Sequence, residues 1–199
     1  MGKIEDKKRQ KKEALLTSAY QLFTNKGIDN TSVAEIVKNA KMAKGTFYLY
    51  FTDKYQMRDI LVANQANRIF EKANASLEKK QTGSLEECIL YLVNNIIDQL
   101  SKNPTLLGFI AKNLSWGIFS NIRISGFDNK NCMDIFDSLL LESKRIFRQK
   151  ELMIYMIVEL VNSTCYNVIL HNEPVPIAKL KEELGITITN IMHQFEMAT

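Results

Sequence analysis

The stretch TSVAEIVKNAKMAKGTFYLYFTDK, residues 31–54, decides how the chain is read. Val33, Ile36, Val37 and Ala40 recur at helical spacing and form one apolar face. After the connection Ala40-Lys41-Met42-Ala43, Phe47 and Phe51 stand four apart on the face of a second short helix. Two short helices with so brief a link form a helix-turn-helix pattern, whose second helix can lie in a DNA major groove. Ser32 and Glu35 make an S-x-x-E capping box that starts the first of the two.

Charge supports the same direction. Residues 1–54 hold 11 Lys+Arg against 6 Asp+Glu, a net +5, while residues 55–199 hold 15 against 16, a net −1. The positive excess thus lies in the first quarter, as a nucleic-acid-binding segment would have it. Five basic residues, Lys7, Lys8, Arg9, Lys11 and Lys12, crowd the start of the first helix. There they oppose the helix dipole, and they are read either as a solvated end or as a group facing a polyanion.

Outward from this stretch the chain reads as helices throughout. A first helix carries Leu15, Ala19, Leu22 and Phe23, and Gly27 is placed to end it as a C′ residue. Asp53 and Gln56 cap a long fourth helix whose periodicity runs through Ile60, Ile69, Ala73 and Leu77. Ser84 and Glu87 form another capping box, and Asn103-Pro104 an N-cap followed by proline at N1. Further helices follow over about 103–119, 130–148, 152–171 and 177–195, with Gly126–Asn129 as a loop. The expected fold is all-α with about nine helices: a helix-turn-helix DNA-binding domain over 1–54, joined by a long helix to a helical bundle over 55–199.

Several function classes find no support. Cys88, Cys132 and Cys165 are widely spaced in apolar-periodic segments and read as buried free thiols of a reducing cytoplasm. No CxxC or Cys/His cluster points to a metal, and no P-loop or GxGxxG to a cofactor, so none is expected. The two histidines, His171 and His193, sit in no catalytic pattern, and no enzyme is expected. The apolar run Leu152–Val158 is too short to span a bilayer, so no membrane partner is expected and a cytoplasmic protein is.

The segment from Lys11 to Leu61 resembles the DNA-binding domain of the tetracycline-repressor (TetR) family of bacterial regulators. The resemblance is carried by AYQLFTNKG, the Thr31-Ser32 start, AKGTFYLYF and TDKYQM, in that order and spacing. It implies a homodimer that binds a palindromic double-stranded operator and a small apolar effector in the C-terminal bundle. It also implies site roles. Lys44, Gly45, Thr46 and Phe47 would face the groove, and Thr31, Ser32, Tyr48 and Lys54 would meet phosphates. Phe47 also fits the core through its spacing with Phe51. Lys41 stands where the family turn usually has glycine, either as an altered turn or as a charge beside DNA.

In the bundle, adaptable aromatic and sulfur-bearing side chains suit an apolar effector pocket: Phe109, Trp116, Phe119, Met133, Phe136, Met156 and Tyr166, with Asn113 and Asn162 as polar handles. The apolar faces of the last two helices, with Ile154, Ile157, Val161, Ile188, Ile191 and Phe195, suit a four-helix dimer contact. The rival reading is an adaptor or ligand-binding protein of this fold without specific operator binding.

Overall fold

The structure, a computed structural model, describes residues 3–80, 83–120 and 132–197. Ten helices lie among these residues: α1 Lys3–Lys26, α2 Val33–Asn39, α3 Lys44–Tyr48, α4 Lys54–Leu77, α5 Leu85–Ser101, α6 Pro104–Asn113, α7 Trp116–Ser120, α8 Cys132–Ser143, α9 Lys150–His171 and α10 Ile177–Phe195. The count exceeds the expected nine because Leu114 adopts extended backbone (φ −72°, ψ 114°), dividing the segment after Pro104 into α6 and α7. The Gly126–Asn129 loop lies outside the described residues. No strand forms among them beyond the isolated pairing of Phe147 with Glu196.

The chain divides into two compact units, the first reaching Asn64 and the second beginning at Gln65. The boundary therefore falls inside α4 and not at residue 54. The reason is that Met57, Ile60, Leu61, Val62 and Ala63 on the first turns of α4 are buried, and the unit that contains them extends past the helix start.

In the first unit the buried side chains are Leu15, Leu16, Ala19 and Phe23 on α1, Ile36 and Val37 on α2, and Phe47 and Phe51 at α3; of the expected stripes Leu22, Val33 and Ala40 are only half-buried, and Leu16 takes a buried place on α1. Ser18 is buried among them, and its hydroxyl donates to the Ile36 carbonyl at 2.7 Å, which satisfies the one polar group on that face.

In the second unit Ile69, Ala73 and Leu77 of α4 pack with Cys88, Leu92, Ile96 and Leu100 of α5, Leu107 and Ile110 of α6, and Ile135 of α8. The long helices α9 and α10 lie against each other. Their inward residues are Met153, Ile154, Ile157, Cys165 and Val168 on one and Leu180, Leu184, Ile188, Met192 and Phe195 on the other. This corrects the expected dimer contact. Ile154, Ile157 and Ile188 are at most 1% exposed and Phe195 4%, within a single chain. Ile191 is half-buried. These faces are covered within one chain, α9 by α5, α6 and α10 together, so a second copy is not needed to cover these residues.

By length and composition α9 is the one helix among the described residues apolar enough to cross a membrane. Its apolar content is shared between contacts with α5, α6 and α10. All three cysteines are free and buried. Burial pushes the Cys165 thiol up to about 11 and raises Cys132 as well, so neither thiolate is accessible near neutral pH.

The junction between α8 and α9 is tied to the segment after α10. Arg145 donates from Nε and Nη2 to both carboxylate oxygens of Glu196, at 2.5 and 2.6 Å, and from Nη1 to Glu86 at 2.6 Å. Backbone bonds from Arg148 N–H to the Phe195 carbonyl (2.8 Å) and from Met197 N–H to the Ile146 carbonyl (2.9 Å) complete the tie. Lys144 and Gln149, at φ 57° and 48°, turn the chain at either side of it.

Candidate nucleic-acid interface and bundle cavity

The start of α2 is closed by its own side chains. Ser32 Oγ accepts from the Glu35 N–H at 3.2 Å, and the Glu35 carboxylate accepts from the Ser32 N–H and hydroxyl, both at 2.9 Å. Lys26 donates to the other carboxylate oxygen at 2.5 Å. This Lys26 contact, with the Ser32 bonds, lowers the Glu35 pKa to about 2. Ser32 is thus a cap, because the N–H and hydroxyl that a phosphate would use are engaged by a carboxylate that would repel it. Thr31 is corrected in the same way. It is 1% exposed and its hydroxyl donates to the Gly27 carbonyl at 2.7 Å.

Lys54 also turns inward. Its ammonium group donates to the carbonyls of Ile28, Asp29 and Thr31 at 2.8, 3.1 and 3.0 Å. An ammonium has three protons, and here three carbonyls take them. The residue expected to anchor a phosphate instead fastens the start of α4 to the connection between α1 and α2. Asp53 Oδ1 accepts from the N–H groups of Tyr55 and Gln56 at that start, the cap the spacing predicts.

The α2–α3 turn is a Schellman motif. Met42 N–H donates to the Val37 carbonyl at 2.8 Å and Lys41 N–H to the Lys38 carbonyl at 3.1 Å. Lys41 occupies the C′ position at φ 54°, left-handed backbone that glycine adopts without cost. The turn keeps its geometry and carries the strain. Lys41 is exposed, so its charge faces outward.

Beyond the turn, Phe47 is fully buried, with its ring 5.6 Å from that of Phe51. This removes it from the groove-facing set: it holds α3 to the core. Lys44 and Gly45 are exposed, Thr46 is half-buried, and Tyr48 is 55% exposed. A Cβ placed on Gly45 would meet nothing within 4 Å, so the fold itself does not require glycine there. Leu49, which the spacing did not single out, is 77% exposed. Its signal in the sequence is an apolar residue off the Phe47–Phe51 face.

The bundle of the second unit encloses a cavity of about 70 Å³. It is lined by Ala66, Ile69 and Phe70 of α4, Leu92, Val93, Ile96 and Leu100 of α5, Ile110 and Leu114, Phe119, Phe136, and Ile157, Val158, Val161 and Asn162 of α9. Asn162 is the one polar side chain in the wall. Of the expected pocket residues, Phe119, Phe136 and Asn162 are present, and Val161 lines the cavity instead of an interface. The others are placed elsewhere. Phe109 is buried without lining the cavity, and the Asn113 amide donates to the Phe109 carbonyl at 2.7 Å. Trp116 stacks on Phe119 at 5.5 Å and meets Tyr155 edge-on at 5.3 Å, and Lys112 sits 6.0 Å over the Tyr166 ring. Met133 is half-buried outside the wall, and Met156 is 37% exposed. Periodicity marked these side chains as apolar but not which side of each helix faces the void.

An exposed short helix fixed to an all-α core by a helix-turn-helix defines the class: a DNA-binding unit with an appended helical bundle. Residues 15–59 match the family described as bacterial regulatory proteins, tetR family. A curated relative from Haemophilus influenzae, an uncharacterized HTH-type transcriptional regulator, is 31% identical over 112 residues. The match takes in 55% of this chain and 58% of that protein, so it spans less than two thirds of the relative. A nucleoid occlusion factor, SlmA, from Yersinia pseudotuberculosis is 23% identical over 154 residues, covering 76% of this chain and 73% of the relative. Among solved structures, the transcriptional regulator FadR from Bacillus subtilis in complex with stearoyl-CoA aligns with a TM-score of 0.63 at 16% identity, over 91% of this chain and 99% of that one. That likeness extends the fold over both units.

Proposed function

We propose that the protein is a sequence-specific DNA-binding transcriptional regulator, a ligand-responsive repressor acting as a homodimer on a palindromic operator. The observation that carries this is α3. Phe47 fixes its inner side to the core, while Lys44, Gly45, Tyr48 and Leu49 stand outward with Lys41 at the preceding turn. Lys44 reaches guanine acceptors, Leu49 and the Thr46 methyl meet thymine methyls, and Tyr48 donates to a phosphate. The bare surface at Gly45 lets the duplex approach the helix closely.

The effector is a molecule with a long apolar chain. The cavity wall is apolar except for Asn162, and FadR from Bacillus subtilis, of similar fold, is known in complex with stearoyl-CoA. Such a chain needs more than about 70 Å³, since small-molecule sites run to roughly 300–1,000 Å³. Binding therefore moves the walls, which is what a switch requires. The dimer forms through outward residues of α9 and α10, among them Leu152, Met156 and Ile186, 43%, 37% and 55% exposed.

Mobility-shift titration of the full chain against DNA upstream of its own gene tests the reading. One upstream fragment should bind well above random duplex, and a long-chain acyl-CoA should raise the melting temperature and release that fragment. Equal binding to all fragments at physiological salt sinks the operator. The similarity to a nucleoid occlusion factor favours one second reading, DNA binding at many dispersed chromosomal sites. Genome-wide occupancy separates the two, through one or a few promoters against scattered sites.

A further inference from the structure

We propose that the N-terminal half of α1 is a second DNA-contacting surface, an arm whose lysines hold backbone phosphates beside the groove occupied by α3. The proposal rests on the reading that the protein binds duplex DNA.

The helix α1 runs for 24 residues from Lys3, yet its first buried side chain is Leu15. None of the side chains described from Glu5 to Ala14 is buried, so this part of the helix extends beyond the core it belongs to. Helical spacing places Lys8, Lys11 and Lys12 on the side that continues into Leu15, Leu16, Ser18 and Ala19, all buried. Asp6 and Glu13 fall on the opposite side, in line with exposed Thr17. The stripe that buries α1 thus changes from apolar to cationic as it leaves the unit, without changing side.

Arg9 pairs with Asp6 at 3.6 Å. Glu5 falls on the lysine side, which therefore carries Lys8, Lys11 and Lys12 against one carboxylate. Among the described residues Lys7, Lys8, Lys11 and Lys12 have no ion-pair or hydrogen-bond partner. Lys8, Lys11 and Lys12 stand three and four residues apart on one side, so they repel one another in the free protein and favour a polyanion.

The arm projects from the same compact unit that presents the recognition helix. Lys26 meets Glu35 near the start of α2, Gln21 meets Asn39 at its end at 3.3 Å, and Ser18 meets the Ile36 carbonyl in its middle, so α1 crosses α2 and its earlier turns lead away from that crossing. Lys12 stands nine residues before Gln21, about 13 Å along the helix at 1.5 Å per residue. That distance is on the order of four base steps of duplex.

The test compares wild type with the full chain carrying Lys8→Ala, Lys11→Ala and Lys12→Ala together. Binding is titrated on a short random-sequence duplex and on the best upstream fragment between about 50 and 200 mM salt. The variant's log–log salt slope should be shallower by about 0.9 per lysine in each bound protomer. Affinity should fall by one common factor on both DNAs, the footprint should shorten at its flanks, and arginine at all three positions should restore it. These side chains are unburied, so the melting temperature should stay within a degree or two of wild type. An unchanged slope with wild-type affinity overturns the arm and leaves the regulator reading standing. A loss confined to the upstream fragment overturns it too, since phosphate contacts carry no sequence preference. If wild type itself binds neither duplex, the reading beneath falls and the arm falls with it.

Discussion

The two units are held by different means. In the first, most joints are polar contacts over short reaches of chain, Thr31 to Gly27, Ser32 with Glu35, Met42 to Val37, and Gln56 N–H to Asp53, with Ser18 and Lys54 reaching further. In the second, helix faces meet across long separations. Ile135 of α8 packs with Ile69 of α4, and Arg145 reaches Glu86 and Glu196, 59 and 51 residues away. The difference sorts what a substitution does. In the first unit a change at a joint alters the geometry with which α3 is presented. In the second, a change in a face removes packing and lowers stability outright.

The largest test of that contrast is Ile154→Ala. As a fully buried residue of α9 it should cost about 2–5 kcal/mol in chemical denaturation, independent of protein concentration. A cost that vanishes on dilution would return Ile154 to an interface between copies. Next comes Lys54→Met, which keeps the stem but leaves three carbonyls without their donor. It should cost about 1–3 kcal/mol and weaken binding to all DNA alike. Unchanged stability with weakened binding would instead make Lys54 a phosphate anchor.

Smaller effects belong to the turn and the cap. Lys41→Gly relieves left-handed backbone and should raise stability by about 0.5–1 kcal/mol while removing one charge beside DNA. A loss of stability would show that the lysine side chain supports the turn. The smallest is a pH effect. Glu35 is depressed from the ordinary 4.5 to about 2 by Lys26 and Ser32, so its stabilising effect is complete above 4.5 and is lost as pH falls toward 2. Amide chemical shifts of Ser32 and Glu35 followed across that window should report the loosening of α2, and Glu35→Gln should flatten it.

How much could be read beforehand follows the same division. The capping boxes at Ser32–Glu35 and Ser84–Glu87, the Gly27 ending and the strained place of Lys41 are local patterns, each with its partner a few residues away. All were visible in the sequence. The role of Lys54 was not, because its three carbonyls lie 23 to 26 residues earlier and a lone lysine at a helix start looks the same either way. Ile154 and Ile188 show a limit of another kind. Their spacing proclaims an apolar face, but spacing does not say what covers it, and here other helices of the same chain do. The cavity is further still from local reading, since its wall is assembled from α4 to α9 and only Phe119, Phe136 and Asn162 were expected in it.

The clasp at Arg145 has a consequence for the gene. Glu196 and Met197 lie past α10, outside the described helices. Here a stop codon at position 196 takes away both carboxylate oxygens that Arg145 holds and the backbone bond to Ile146. Arg145 would keep only Glu86, and the turn between Lys144 and Gln149 would lose its far anchor. A reading frame cut short there is therefore expected to behave as a lesion of the bundle and not as a trimmed tail.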